Sequence, residues 1–222
     1  RRLPVRGGWH DAGDLTQAAI NTAESVFAML ELAIAEREAQ PELSQRAKEE
    51  ARWRLNWLMR TRWGDGYRHN GTVIGFWSDN IQGTLDDINA DSGNRPFDNF
   101  MIAGVCAKAI ALFRDEDPRF AEWCARCAKE DFSFALAAMH QSQDNESAGA
   151  RYTQLQMNAQ AAISAMELYE AFGETEYLSR GVSFARILMA CQASAVDPSF
   201  SIPLRGYFYE NETHERIQTY YH

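Results

Sequence analysis

The 222-residue sequence has no run of eighteen apolar residues, the length that a membrane-spanning helix requires. Positive charge is scarce, because 22 lysines and arginines stand against 31 aspartates and glutamates, for a net charge of −9. Phosphate binding needs a basic surface, so we predict no nucleic-acid partner. The lack of a long apolar run predicts no membrane partner. The opening residues Arg1–Val5 also lack the apolar centre of a signal peptide. The length and the 45% hydrophobic content suffice for a sizeable core.

Cysteine is sparse as well, with four residues at positions 106, 124, 127 and 191. Cys124 and Cys127 form a C-x-x-C pair, but they lie in a helical pattern and have no second pair of zinc ligands. We therefore predict buried helical cysteines, which leave the redox compartment open. The sequence contains no glycine-rich phosphate loop, and none of its five histidines accompanies a nucleophile motif.

Periodic apolar residues predict six helices and no strand. The helices span about 15–38, 42–62, 98–114, 118–139, 152–172 and 174–192. Short turns join them in pairs, whereas longer polar loops separate the pairs at 63–97, 141–151 and 193–222. Short turns at one end and long loops at the other favour a single functional face. We predict an all-α fold in which residues 1–222 form one partial (α/α)6 toroid, with about three of the six helical hairpins present.

The stretch Gly7–Asp14 reads Gly-Gly-Trp-His-Asp-Ala-Gly-Asp and comes directly before the first long helix. Two carboxylates, Asp11 and Asp14, stand three positions apart with only small residues between them. An ionised carboxylate beside small residues can serve as a general base that activates a water. The alternative is structural, with Asp14 or Thr16 capping the helix and Gly13 relaxing a turn. The spacing by itself leaves both interpretations open.

This stretch resembles the glycine-glycine-aromatic-x-Asp-Ala-Gly-Asp signature of family 9 glycoside hydrolases, the inverting β-glucanases and related enzymes. Residues 51–58 resemble the second helix of that family, and residues 64–69 resemble the loop after it. His10 departs from the signature, because the family often has an aromatic such as tyrosine there. The resemblance implies a twelve-helix barrel, with Asp14 as the general base and Asp11 orienting the same water.

The same resemblance implies a proton-donating glutamate in the second half of the barrel, where this sequence offers no matching motif. The predicted partners are therefore a β-glycan oligosaccharide or polysaccharide and the remaining half of the barrel. Without that half we expect the chain to be inactive, because a base without its acid loses most of the rate. An enzyme with this predicted activity is expected to be secreted or periplasmic.

Sugar rings present flat C–H faces that pack on aromatic side chains, and several aromatic residues fall in or beside the long loops. The predicted substrate-binding residues are Trp9, His10, His69, Trp77 and Tyr207, with Trp63 and Tyr67 as further aromatic candidates. The alternative is that these side chains close the top of the barrel or stand in a solvated loop. By their helical spacing, Trp53, Trp57 and Trp123 are predicted to lie in the core.

Alternating oxygen ligands at Asp87, Asn89 and Asp91, with Asp98 further on, resemble a calcium-binding loop. Ser92 occupies the position where such a loop needs glycine, and Asp98 replaces the usual bidentate glutamate. We predict no cofactor and no metal ligands, with calcium as the alternative.

The predicted function is the hydrolysis of a β-linked glucan or related β-glycan with inversion at the anomeric carbon. Two other functions stay open. One is a different six-hairpin enzyme, such as a polysaccharide lyase or uronyl hydrolase, which would need a His/Tyr or basic group facing a uronate. The other is a non-catalytic glycan-binding toroid in which the Asp pair only hydrogen-bonds sugar.

Overall fold

Six helices dominate the computed structural model, which describes residues 7–10, 16–73, 89–143, 152–196, 198, 201–202 and 204–219. They are α1 (Ala19–Ala35), α2 (Pro41–Arg60), α3 (Pro96–Phe113), α4 (Pro118–Gln143), α5 (Gln154–Phe172) and α6 (Thr175–Ala190). The predicted number and order of helices are confirmed.

Local sequence signals explain where several helices begin and end. Proline occupies the first position of α2, α3 and α4, where its missing N–H leaves no hydrogen bond unmade. At the start of α5, Thr153 and Gln156 form a reciprocal capping box. The same helix ends at Gly173, whose φ of 70° is a left-handed conformation that glycine adopts without steric cost.

The helices pack as three antiparallel hairpins, α1 with α2, α3 with α4, and α5 with α6. Helix α3 also packs against α1 and α5, so these three helices lie side by side in one row. Ring stacking of Phe97, at the start of α3, on Tyr152, just before α5, places the first turns of both helices at the same end. The long connecting segments therefore share this end, which we call the loop end, and the short turns share the other.

Helix α3 is the core of the molecule. It has the length and composition of a membrane-spanning helix, yet 83% of it is buried inside the structure, as expected for a helix enclosed by α1, α4 and α5. Its apolar character on all sides therefore reflects packing against protein. No other helix of the described residues has the length and composition to cross a membrane.

A three-stranded antiparallel sheet at the loop end contradicts the prediction that no strand is present. Its strands are β1 (Gln17–Ala18), β2 (Arg68–Val73) and β3 (Asn89–Gly93), with β2 in the middle. The central strand reads Arg-His-Asn-Gly-Thr-Val, which has no clear alternation of polar and apolar residues. Its hydrogen bonds come from partners distant in sequence, and a local pattern does not reveal them.

The buried thiols and two of the three predicted core tryptophans agree with expectation. All four cysteines are buried and unpaired, and burial raises the pKa of the Cys127 thiol to about 11. Trp57 is fully buried and Trp123 packs on the core, whereas Trp53 is 62% exposed, so the prediction for Trp53 was wrong. The buried stripe of α2 runs through Ala51 and Leu55. Trp53 stands midway between them and therefore faces outward.

Candidate active site

The segment Gly7–His10, which begins the described chain, is anchored at the loop end by three consecutive hydrogen bonds. Arg54 of α2 donates to the carbonyl of Gly7 at 2.7 Å. The amide of Gly8 donates to the side-chain oxygen of Gln17 at 3.1 Å, and the amide of Trp9 donates to Thr22 Oγ1 at 3.2 Å. Elements α1, α2 and β1 therefore jointly fix the first part of the motif.

The two glycines of the motif are required for different reasons, Gly7 by its backbone conformation and Gly8 by close approach to α2. Gly7 has a φ of +121°, and a Cβ there would lie 2.9 Å from the Arg60 guanidinium. A Cβ on Gly8 would lie 2.9 Å from the indole ring of the buried Trp57, closer than van der Waals contact allows. The Gly-Gly pair thus lets the backbone lie directly on Trp57, a reason that the sequence did not reveal.

The next two residues of the motif face different surroundings. Trp9 is half-buried, and the Arg54 guanidinium lies over its ring at 4.7 Å from the centroid. One face of the indole is therefore covered by a cation–π contact. His10 is exposed. The predicted catalytic residues Asp11 and Asp14 lie outside the described residues, so their roles remain predictions.

His69 is placed differently from its prediction as a loop residue that binds substrate. It lies in β2, its side chain is 1% exposed, and its ring meets Trp57 edge-on at a centroid distance of 5.8 Å. This packing favours a structural role for the ring. Trp77, another predicted substrate-binding residue, lies outside the described residues.

Tyr207 is half-buried in the segment that follows α6. Its hydroxyl lies 2.9 Å from that of Tyr209, and its carbonyl accepts a hydrogen bond from the amide of Ala193. Two further aromatic candidates, Trp63 and Tyr67, are 37% and 52% exposed between α2 and β2. The structure therefore places Gly8 and His69 against Trp57, and it places Tyr207 in a separate segment of the loop end.

A buried ionic cluster beneath the sheet was missed by sequence reasoning. Asp131 of α4 accepts hydrogen bonds from Arg62 Nε at 3.1 Å and from the Arg68 guanidinium, and both Asp131 and Arg68 are 1% exposed. Arg68 also donates to Asn99 Oδ1 at 2.7 Å, and Arg62 donates to Glu130 at 2.6 Å. Burial alone would lower the pKa of Arg62, but the carboxylates of Asp131 and Glu130 outweigh it and raise that pKa. The cluster ties β2 and the end of α2 to α3 and α4.

Asp98, one member of the calcium-like pattern, belongs to this buried layer. It lies in the first turn of α3, where the helix dipole favours a carboxylate, and Asn70 donates to its Oδ2 at 2.6 Å. Within the part of the chain that the structure describes, no three His, Cys, Asp or Glu side chains could hold a metal ion. Asp87, the first residue of the pattern, lies outside that part.

The fold defines the class of the protein, part of a toroid of helical hairpins. The sequence matches the profile of Glycosyl hydrolase family 9 over residues 1–195. The chain therefore belongs to this family. No curated protein sequence gives a significant match.

Solved structures of the family share the fold. An endoglucanase from the termite Nasutitermes takasagoensis superposes with a TM-score of 0.67 at 16% identity, covering 83% of this chain and 45% of that one. A metagenome-derived glycoside hydrolase family 9 endoglucanase gives a TM-score of 0.63 at 26% identity, covering 84% and 36%. Endoglucanase CelQ from Clostridium thermocellum, solved with cellotetraose, gives 0.62 at 20% identity, covering 82% and 31%.

These neighbours are (α/α)6 barrels. The present chain spans less than half of the length of the three structures, and its three hairpins correspond to part of such a barrel.

Proposed function

We propose that this chain supplies the base-bearing half of the active site of an inverting glycoside hydrolase that acts on β-linked glucan or a related β-glycan. The observation that carries the proposal is the anchoring of Gly7–Trp9 at the loop end, because the next residues of the same motif are Asp11 and Asp14. Membership of family 9 supports the reaction class. The cellotetraose complex of CelQ supports a β-glucan ligand.

The proposed reaction breaks the glycosidic C–O bond in one displacement. Asp14 accepts a proton from a water while the water oxygen bonds to the anomeric carbon on the face opposite the leaving sugar. Asp11 accepts the second hydrogen of that water and orients it. A glutamic acid from the remaining half of the barrel protonates the departing oxygen. The reaction needs no cofactor, and the product carries the inverted anomeric configuration.

Sugar binding is proposed to use the exposed aromatic side chains of the loop end. Trp63 and Tyr67 offer ring surface to solvent, and His10 is exposed within the motif. Trp77 and Tyr207 are kept as proposed contacts. β-Glycans do not diffuse across the cytoplasmic membrane, so the proposal places the enzyme outside the cell or in the periplasm.

The test uses the full-length protein with soluble β-glycan oligosaccharides, followed by anomeric proton NMR over time. We expect the first product signal to be the α-anomer, which then mutarotates to the equilibrium mixture. A β-anomer as the first product would contradict inversion. Binding without cleavage would show a glycan-binding toroid instead, and cleavage restricted to uronate-containing glycans would show the lyase or uronyl hydrolase alternative.

A further inference from the structure

Arg54 makes an unusual set of contacts with the first part of the motif. Its guanidinium donates to the carbonyl of Gly7 at 2.7 Å and covers the indole of Trp9 at 4.7 Å. On its other side, Glu50 accepts from Nε at 3.1 Å and pairs with the terminal nitrogen at 3.0 Å. Glu50 therefore fixes the orientation of a guanidinium plane that holds both backbone and ring of the motif.

The anchored residues stand very close in sequence to the proposed catalytic pair. Asp11 follows Trp9 by two positions, and an extended chain of two residues spans at most about 7 Å. Arg54 therefore acts on backbone that stands only two residues before the proposed catalytic pair. Displacement of a reacting group by about 1 Å can lower a rate about a hundredfold.

We infer that Arg54 is a positioning residue that holds the motif segment against α2 and thereby sets the location of the Asp11–Asp14 pair; this inference rests on the proposed function. Trp57 supplies the surface on which the segment lies, because its ring fills the space that a Cβ of Gly8 would need. Arg54 thus holds Gly7 and Trp9, and Trp57 supports Gly8 between them. Neither residue needs to contact the sugar for this role.

The chain provides a matched control on the same helix. Arg52, two positions earlier, covers the Phe120 ring at 4.7 Å and pairs with Asp117, near the short turn between α3 and α4. Arg52 also lies over the Phe113 ring at 5.9 Å, so both arginines combine cation–π contact with one ion pair, but Arg54 alone of the two touches the motif. Arg52→Ala therefore measures how much activity is lost when similar contacts are removed from α2 away from the motif.

The first experiment compares Arg54→Ala, Arg54→Lys and Arg52→Ala in the full-length protein. We expect Arg54→Ala to lower kcat about tenfold to a hundredfold. KM should change little, because the Asp11–Asp14 pair acts on the attacking water and not on the binding of the sugar. Arg54→Lys keeps a donor for the Gly7 carbonyl and should recover part of the loss. Equal kcat values for Arg54→Ala and Arg52→Ala would overturn the inference.

A second readout does not depend on activity. Amide hydrogen exchange, measured by mass spectrometry, should become faster in the peptide around Gly8–Asp14 in Arg54→Ala and stay unchanged there in Arg52→Ala. Unchanged exchange in both variants would overturn the inference even if the enzyme is active. A wild type that cleaves no β-glycan, together with faster exchange in Arg54→Ala alone, would remove the proposed function and leave the anchoring role standing.

The proposal that the motif segment lies on the Trp57 ring is tested by a pair of substitutions at Gly8 and Trp57. Gly8→Ala should displace the segment and lower kcat, because the new Cβ meets the outer ring of the indole. Trp57→Phe removes that ring, so the double variant should be more active than Gly8→Ala. A double variant whose loss equals the sum of the two single losses would show that the segment does not rest on Trp57.

Discussion

Replacing Asp14 with asparagine in the full-length protein is expected to lower kcat by about a hundredfold to ten-thousandfold, the usual contribution of a general base. Asparagine has nearly the same shape as aspartate but cannot accept a proton from water. Ground-state binding of the sugar does not use this proton transfer, so KM should change little. The measurement is the initial rate of reducing-end release over a range of oligosaccharide concentrations.

The pH profile gives this prediction a second test. In the wild type, kcat/KM should fall on the acid side as the base becomes protonated. Since Asp14 supplies that base in the proposed mechanism, the acid limb should disappear or move in Asp14→Asn. Asp115→Asn is the control, because Asp115 is exposed in the short turn between α3 and α4, at the opposite end of the molecule.

Asp11→Asn separates the two carboxylates. A group that orients the water contributes less than the group that accepts its proton, so this variant should retain more activity than Asp14→Asn. If Asp14→Asn instead keeps wild-type activity, the base lies elsewhere, and Asp11 is the first residue to examine. If both variants keep full activity, the Asp pair takes no part in the cleavage.

Helix positions were predictable because each depends on residues close in sequence. Pro41 and Pro118 mark helix starts, and Gly173 marks an end, through backbone geometry that a single residue imposes. The start of α1 was placed four residues too early. Gln17 and Ala18 pair with β2 instead, and that pairing depends on a strand about fifty residues away.

The motif was recognisable from sequence, but the physical reason for its glycines was not. Gly8 is explained by the indole of Trp57, and the two residues are brought together only by the packing of the chain end on α2. The position of His69 also depends on tertiary packing that the local sequence does not reveal. A histidine between polar neighbours looks like a loop residue, whereas its contact with Trp57 puts it inside.

The buried arginines left no local signal either. Arg62 and Arg68 flank a loop sequence that reads as solvated, and Asp131 occupies a helix rich in charged residues. Their burial follows from the meeting of α2, β2 and α4, which is a tertiary event. Charged residues are rarely fully buried unless paired, and the residues around these arginines in sequence show no partner that would predict their burial.

Removing the charge of Asp131 is expected to have the largest effect on stability. This carboxylate is 1% exposed and accepts from both Arg62 and Arg68. Asp131→Asn keeps the volume but removes the carboxylate that the buried Arg68 guanidinium pairs with among the described residues. Breaking a buried pair in this way costs about 3–5 kcal/mol. The measurement is the free energy of unfolding of the full-length protein from urea denaturation followed by circular dichroism.

An exposed ion pair provides the comparison. Glu174 pairs with Lys129 of α4 at 2.6 Å, and both side chains are nearly half exposed. Glu174→Gln should therefore change the free energy of unfolding by less than about 1 kcal/mol. A similarly small change for Asp131→Asn would contradict the view that the buried cluster holds β2 in place.

A double variant that removes the charges of both Asp131 and Arg68 tests this explanation. Arg68→Met in the Asp131→Asn background replaces the buried guanidinium with an unbranched apolar side chain, while Arg62 keeps its bond to Glu130. Most of the penalty in Asp131→Asn is the cost of an unpaired buried charge, so the double variant should be more stable than the single one. If the two losses simply add, Arg68 contributes through its bonds to Asn99 and the Leu58 carbonyl, and the ion pair with Asp131 is secondary.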